Sequence, residues 1–374
     1  MRILYITTIG ITMGFFKPFI KRLIAEGNEV DIATNETESP VPACYRDWNC
    51  AVYQIDTSRS PFNKGNIHAV RQIKRLVEKE KYDIVHCHTP VAAMCTRLAC
   101  KDLRKKGTKV IYTAHGFHFY KGAPLKNWLV YYPVERFLTR YTDCQITINH
   151  EDYVLAQRLY RKNGGRVEYV PGVGFAADKF VCSADVRAAM RAELGITDDE
   201  TMLLSVGEIN QNKNHKTVIE ALAGMGRKDI RYVICGVGPS LDSHKQLVHE
   251  LGLDDQVMFV GYRTDVEKFY QAADFFVIPS FREGLPVAPM EAMAAGLPCL
   301  ASRIRGNVDL FAESQLMFDP HDAGSLCKAL TKAADKNIVR QEIDRNKKTL
   351  QRFSTQEVIN AMKRIYADVI QQTI

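Results

Sequence analysis

Glu283 and Glu291 bracket the segment Glu283-Gly-Leu-Pro-Val-Ala-Pro-Met-Glu291, which follows the apolar run DFFVIPS at 274–280. Pro286 suits the first position of a helix, where a missing N–H costs nothing. The pattern therefore predicts a helix over 286–295 that begins at the carboxyl end of a strand. Backbone amides at such a start, here those of Gly284, Leu285 and Val287, have no partner inside the helix and form an anion site. With Glu283 in the loop and Glu291 on the second turn, amides would hold a ligand's phosphate while carboxylates accept from its hydroxyls. The plainer reading is two glutamates complementing a helix N-terminus, worth about 0.3–1 kcal/mol each. The strand before, the Gly-Leu-Pro start and the Ala-Ala-Gly-Leu-Pro that follows favour a binding site.

A second group of residues lies in SVGEINQNKNH at 205–215. A strand ends at Gly207, and Lys213 is expected to open the next helix with its ammonium near the strand ends; a solvated lysine is the alternative. Glu208 would repel a phosphate there. It is expected to point elsewhere or to pair with a cation such as Lys213, with Arg282 or Arg305 adding positive charge. Gly236-Val-Gly238-Pro is a strand-to-helix turn whose glycines permit close backbone approach. Tyr262 and Arg263 follow a strand ending at Gly261, and Arg305-Gly306-Asn307 follows LPCLAS.

In the first half, His115 and His118 follow the run KVIYTA. An imidazole at His115, neutral or protonated, would hydrogen-bond a reacting group or stabilise charge; a structural histidine is the competing reading. His86 and His88 flank Cys87 without a further ligand cluster, which suits packing or a substrate edge better than a metal. Gly10 and Gly14 bracket the loop after the first strand and would let a phosphate or acceptor come close. Their spacing is not G-x-G-x-x-G, which argues against a nicotinamide dehydrogenase. Arg59 in Thr57-Ser58-Arg59-Ser60-Pro61 would grip a phosphate or a neighbouring carboxylate.

Elements must place these residues. Short β-branched runs alternate with amphipathic stretches, as in parallel α/β units. Strands are predicted at 2–7, 29–34, 51–55, 82–87, 109–114 and 144–148, with helices at 15–27 and 67–80. The pattern restarts with strands at 201–207, 231–236, 256–261, 274–280 and 297–302. At 374 residues two domains are expected. We read residues 1–175 and 176–354 as two Rossmann-like domains, α/β with parallel sheets facing a central cleft. VPGVGFAADKF at 170–180 is the linker, and a last helix at 355–371 is expected to pack back on the first domain. Ligands in such sheets bind beyond the carboxyl ends of the strands, where the motifs fall. Ten cysteines without a CxxC pair read as reduced thiols in a cytoplasmic protein. No apolar run is long enough to span a bilayer. Residues 1–176 carry 26 Lys+Arg against 16 Asp+Glu, a net of +10, and the remainder is net −3. That asymmetry suggests an anionic partner for the first half, or only a solvated surface. The aromatic and basic stretch KNWLVYYPVERFLTRY (126–141), with Arg136 and Arg140, and RLYRK (158–162) would suit anionic lipid at the inner membrane face. Ordinary core packing with snorkelling cations is the alternative.

In PSFREGLPVAPMEAMAAGLP (279–298) and in SVGEINQNKNH the chain resembles glycosyltransferase family 4, retaining enzymes of the GT-B fold, and the resemblance runs over essentially the whole length. It implies that Glu283 contacts the transferred sugar and Glu291 the nucleotide ribose. It places Lys213 on the donor pyrophosphate, His115 near the sugar, and Tyr262 and Arg263 at the base. Many members carry an arginine shortly after the glycine where this chain has Glu208. The expected reaction is transfer of a hexose or N-acetylhexosamine, with retention, from a nucleotide sugar to a glycan or lipid-pyrophosphate-linked acceptor. UDP is the expected nucleotide, with GDP open. Gly14, Gly207 and Gly236 would line the donor, and Arg59 and His118 the acceptor. No D-x-D motif occurs, so no metal cofactor is expected. A nucleotide-sugar 2-epimerase and a non-catalytic nucleotide-binding protein are the rival readings. A nucleic-acid binder lacks any reading motif.

Overall fold

The computed structural model describes residues 1–162, 165–177, 180 and 183–371. Cys182 and part of the expected linker lie outside them. The chain divides into two compact units: Met1–Gly174 together with residues from Thr355 onward, and Phe175–Ser354.

The first unit holds seven parallel strands: β1 Arg2–Ile9, β2 Glu29–Asn35, β3 Val52–Gln54, β4 Ile84–His88, β5 Lys109–Ala114, β6 Cys144–Thr147 and β7 Arg166–Tyr169. Their order is β3-β2-β1-β4-β5-β6-β7. Such a sheet is covered on both faces, so its strands read as continuous apolar runs. Alternate residues still part to opposite sides. Leu4, Ile6, Val85, Cys87, Val110 and Tyr112 enter one core. Ile3, Tyr5, Ile32, Ile84, Ile111 and Ile146 enter the other, against the helix Thr355–Gln371. That helix presents Val358, Ile359, Met362, Ile365, Tyr366 and Val369 at helical spacing. The Tyr366 hydroxyl lies 2.8 Å from the Tyr5 hydroxyl and 2.6 Å from His86 Nδ1.

The second unit has six parallel strands: β8 Thr201–Val206, β9 Ile230–Cys235, β10 Val257–Gly261, β11 Phe275–Ile278, β12 Cys299–Ser302 and β13 Met317–Phe318, in the order β10-β9-β8-β11-β12-β13. Leu204, Val233, Phe276 and Ile278 pack on one side. Leu203, Tyr232, Ile234, Val277 and Leu300 pack on the other. The nine described cysteines are unpaired. Burial pushes the Cys87 thiol up to about 12.

In both sheets the chain runs outward from a central strand and then returns to its other side. The neighbouring pairs β1/β4 and β8/β11 are these switch points. Connections leave the two strands toward opposite faces, so a crevice opens beyond their carboxyl ends.

Two strands escape the sequence pattern. β7 is an edge strand, and its Arg166 pairs with Glu168 and Asp368; charge on an edge is what keeps it from pairing further. β13 is only two residues long. Two helix starts also need correction. The helix expected at 15–27 is Lys17–Ala25, preceded by a 3-10 segment Gly10–Phe16 that contains Gly14. The helix expected at 286–295 is Ala288–Ala294. The cause is shared. A start at 15 or 286 would put Pro18 or Pro289 fourth, where the first intrahelical N–H is needed. Starting two residues later puts each proline second, where none is.

Ile365 is fully buried in the core that joins the last helix to the first sheet. Ile365→Ala should therefore cost about 2–5 kcal/mol. A urea midpoint unchanged from the parent protein would show that this helix is not part of that unit's cooperative core.

Candidate functional site

At the β8/β11 switch point two loops are stitched together. The Phe281 amide donates to the Asn212 carbonyl at 2.8 Å, and Asn212 Nδ2 donates to the Arg282 carbonyl at 2.9 Å. Buried Asn214 donates to the carbonyls of Pro279 and Pro320 at 3.0 and 2.9 Å. Between the loops the Lys213 ammonium lies 2.8 Å from Glu283 Oε1, both side chains largely but not wholly buried. Lys213 does not open a helix, as the sequence pattern suggested. It closes a 3-10 turn, Gln211–Lys213, and the helix begins at His215. The reason is local: Asn210 caps the turn by accepting from the Lys213 amide at 3.0 Å. Asn214 then takes a left-handed conformation, φ 55°, which asparagine tolerates.

Glu208 is exposed and accepts from Asn210 Nδ2 at 2.9 Å. The pairing with Lys213 is not made, because Glu283 takes that cation. Gly284, Leu285 and Val287 lie in the loop ahead of the shortened helix, and their amides meet no acceptor among the described residues. Glu291 falls in the helix's first turn and not its second. Burial raises its carboxyl pKa, opposed by a 2.8 Å bond from the Tyr270 hydroxyl.

Close backbone packing explains two glycines. A Cβ on Gly236 would stand 1.8 Å from the Gly207 carbonyl, so the loops after β8 and β9 approach only because Gly236 carries no side chain. Gly306, at φ +83°, would set a Cβ 2.6 Å from the Gly284 carbonyl. Next to it Arg305 is buried and donates Nε to the Glu283 carbonyl at 3.3 Å, supporting the loop from beneath. Arg282 is exposed. Tyr262 and Arg263 follow β10, two strands from β8. Tyr262 is largely exposed, and Arg263 is held by Asp265 through two 2.9 Å bonds.

In the first unit His115 sits at the end of β5 with its Nε2 3.2 Å from His88 Nδ1, beside Phe16. His86 bonds the Tyr366 hydroxyl and Thr113 Oγ1, the latter at 2.8 Å, and is thereby a packing residue. Burial lowers the His115 pKa to about 4. Burial, helped by repulsion from His115, lowers that of His86 to about 3. Both rings are neutral near pH 7, so His115 offers a hydrogen bond and not a charge.

Arg59 and His118 line one pocket of about 300 Å³ at the ends of β1 and β4, with Thr8, Thr89, Tyr131 and Glu135. His118 stacks on Tyr131 at 4.6 Å. Arg59 is exposed and lies 3.5 Å from Glu38. Gly14 lies outside that pocket's lining and would meet nothing if it carried a Cβ. Three lining residues have no motif to announce them. Glu135 anchors fully buried Arg97 through bonds of 2.8 and 3.0 Å. Thr89, at φ 65°, joins Thr8 by a 2.7 Å hydroxyl pair. A threonine there is strained, and such strain gathers at functional sites. Nothing in the chain signals that conformation, because a following proline ordinarily holds the residue before it at negative φ.

Two parallel-sheet units, each with a crevice where its strand order reverses, define the two-domain α/β architecture of the GT-B fold. Residues 186–350 match the family Glycosyl transferases group 1, and residues 2–149 match Glycosyl transferase 4-like. The chain belongs to this glycosyltransferase family. It is 37% identical to EpsD of Bacillus subtilis (strain 168), named a glycosyltransferase, over 98% of this chain and 96% of that one. It is 27% identical to the Escherichia coli UDP-Gal:alpha-D-GlcNAc-diphosphoundecaprenol alpha-1,3-galactosyltransferase over 82% of each chain. Among solved structures it is similar to Anabaena HepE in complex with UDP and glucose (TM-score 0.76, 18% identity, 98% of this chain and 100% of that one).

The histidines give a pH prediction. Unfolded, they take a proton near pH 6.5; folded, His115 does so only at about 4 and His86 at about 3. Between those values the unfolded chain binds more protons, so stability is full above pH 6.5 and falls as pH drops toward 4. Melting temperature followed from about pH 7.5 to 4 should decline below about 6.5, and His115→Asn should flatten part of that decline. An unaltered slope would remove His115 as a contributor.

Proposed function

We propose that the protein transfers a hexose or N-acetylhexosamine from a UDP-sugar, with retention, to a glycan or lipid-linked saccharide of surface polysaccharide assembly. The second unit binds the donor and the first the acceptor. The observation that carries the reading is the Lys213–Glu283 pair beside the amides of Gly284, Leu285 and Val287. A cation and free N–H groups suit a diphosphate, and a carboxylate suits sugar hydroxyls. When a diphosphate arrives, the Lys213 ammonium turns toward it. That frees Glu283 to accept from the transferred sugar, while Glu291 accepts from the ribose. Fixed donors stabilise the leaving diphosphate, and electrostatic stabilisation of this kind usually contributes most to an enzyme's rate. A neutral His115 donates or accepts at the sugar.

The UDP reading is supported by relatives: HepE was crystallised with UDP and with UDP-glucose, and the E. coli relative is named for UDP-Gal and a diphosphoundecaprenol-linked acceptor. The acceptor lies in the pocket of Arg59 and His118, where stacked aromatic rings suit a sugar face. Among the described residues no helix is long and apolar enough to cross a membrane, and we place the enzyme in the cytoplasm, at the inner membrane face. Lys213 and the loop amides take the charge that a metal would otherwise take, so turnover persists in chelator.

Thermal shift against UDP, GDP and their sugars tests the donor. A ligand at 100 times its Kd adds about 2.7 kcal/mol of stability, and selective stabilisation by uridine nucleotides is expected. Response to guanine nucleotides alone would overturn the UDP assignment. Lys213→Ala should lower kcat by a factor on the order of 10²–10³ with the fold intact; a loss below about tenfold would end its assignment to the diphosphate. Donor turnover without any acceptor would point to an epimerase instead.

A further inference from the structure

His86, His88 and His115 gather at the carboxyl ends of β4 and β5. His88 is only 2% exposed, and neighbouring rings fix its plane. Tyr5 stacks on it at 5.5 Å and 15°, with Phe16 at 4.1 Å and His86 at 4.2 Å, centre to centre. Tyr5 and His86 are themselves tied to the Tyr366 hydroxyl. The His88 ring thus presents Nδ1 to His115 Nε2 at 3.2 Å and buries its other nitrogen. That nitrogen, Nε2, has no hydrogen-bond partner among the described residues. Polar side chains beside it are bonded to one another, Thr113 to His86 and Tyr5 to Tyr366.

Burial, with repulsion from His86 and His115, holds the His88 pKa well below the usual histidine range, so the ring is neutral and carries a single proton. On Nε2 that proton would make a buried N–H without an acceptor, a fault rarer in folded proteins than an acceptor left unused. On Nδ1 it donates to His115 Nε2. A ring nitrogen that accepts carries no proton, so the proton of neutral His115 must sit on its Nδ1. His115 is half-buried, and its Nδ1 is open to solvent with no partner among the described residues.

We propose that His88 is a positioning residue for sugar transfer: it fixes His115 in the Nδ1–H tautomer, so that His115 meets the transferred sugar only as a hydrogen-bond donor. The atom it meets is then an acceptor, a hydroxyl or carbonyl oxygen. Its service to the sugar rests on the reading of His115 above, whereas the tautomer rests only on contacts within the first unit. A donor already held in place needs no rearrangement as charge moves at the sugar, which is where such a bond assists most.

Nitrogen-15 NMR of the full chain, labelled at histidine, tests the tautomer without any ligand, since bare and protonated ring nitrogens resonate far apart. The His115 ring, assigned by its loss in His115→Asn, should show Nδ1 protonated and Nε2 bare near neutral pH. In His88→Phe it should exchange between both tautomers, and His88→Asn, which returns an N–H donor to the place of Nδ1, should restore the parent pattern. Calorimetry with UDP, UDP-glucose and UDP-galactose reads the consequence. His88→Phe should weaken the two UDP-sugars about threefold relative to UDP, and should add nothing to the loss in His115→Ala. His115 protonated on Nε2 in the parent chain would overturn the proposal, and that spectrum decides even if His88→Phe does not fold. So would a His115 tautomer, or a ratio of UDP-sugar to UDP affinity, that His88→Phe leaves unaltered. An unaltered ratio in His115→Ala would instead remove His115 from the sugar. If none of the three nucleotides binds, the donor reading fails, and the spectra still decide what His88 does to His115.

Discussion

A parallel sheet covered on both faces admits a polar side chain along its strands only where a partner inside the core satisfies it, as Tyr366 and Thr113 satisfy His86. Each strand interior is committed to one core or the other: Leu4 and Ile6 to one side, Ile3 and Tyr5 to its opposite. Chemistry is thereby driven to the strand ends, where backbone groups are unpaired and the chain turns. Where the strand order reverses, at β1/β4 and β8/β11, two such ends diverge and leave space between them. Lys213, Glu283, His115, Thr89 and Arg59 all lie beyond strand ends for that reason.

The Lys213–Glu283 pair is largely buried, so desolvation of the two charges offsets much of their attraction. Its importance is positional. Each group keeps the other at the switch point, and either can be drawn away by a ligand of the right charge. The surrounding carbonyl bonds of Asn212 and Asn214, with Arg305 beneath Glu283, hold the backbone that carries the pair. The loop is fixed while the two charged ends remain free to exchange partners.

Much of this is legible from residue order. Apolar runs locate every strand except β7 and β13, because fully buried strands are the plainest signal a chain contains. β7 escapes because an edge strand carries charge and is only partly buried; β13 escapes because two residues carry no period. Both helix starts move for one reason, that the decisive residue lies further along. Pro286 has the chemistry of a helix opening, yet Pro289 decides the start through an N–H it lacks. The displaced start also moves Gly284, Leu285 and Val287 from a helix end into a loop.

Sequence alone thus determined the two α/β halves, the strands that carry chemistry and the residue types at their ends. Those depend on local pattern, on which side chains are apolar and which residues can turn. Partner choice was decided only by the tertiary structure. Lys213 meets Glu283, seventy positions away, and leaves Glu208 to Asn210. Tyr366 reaches Tyr5 and His86 across most of the chain. Arg136 and Arg158 come to one pocket through the packing of separate helices. Such pairings depend on which strand ends and helix faces the fold makes neighbours, and no spacing along the chain encodes that distance.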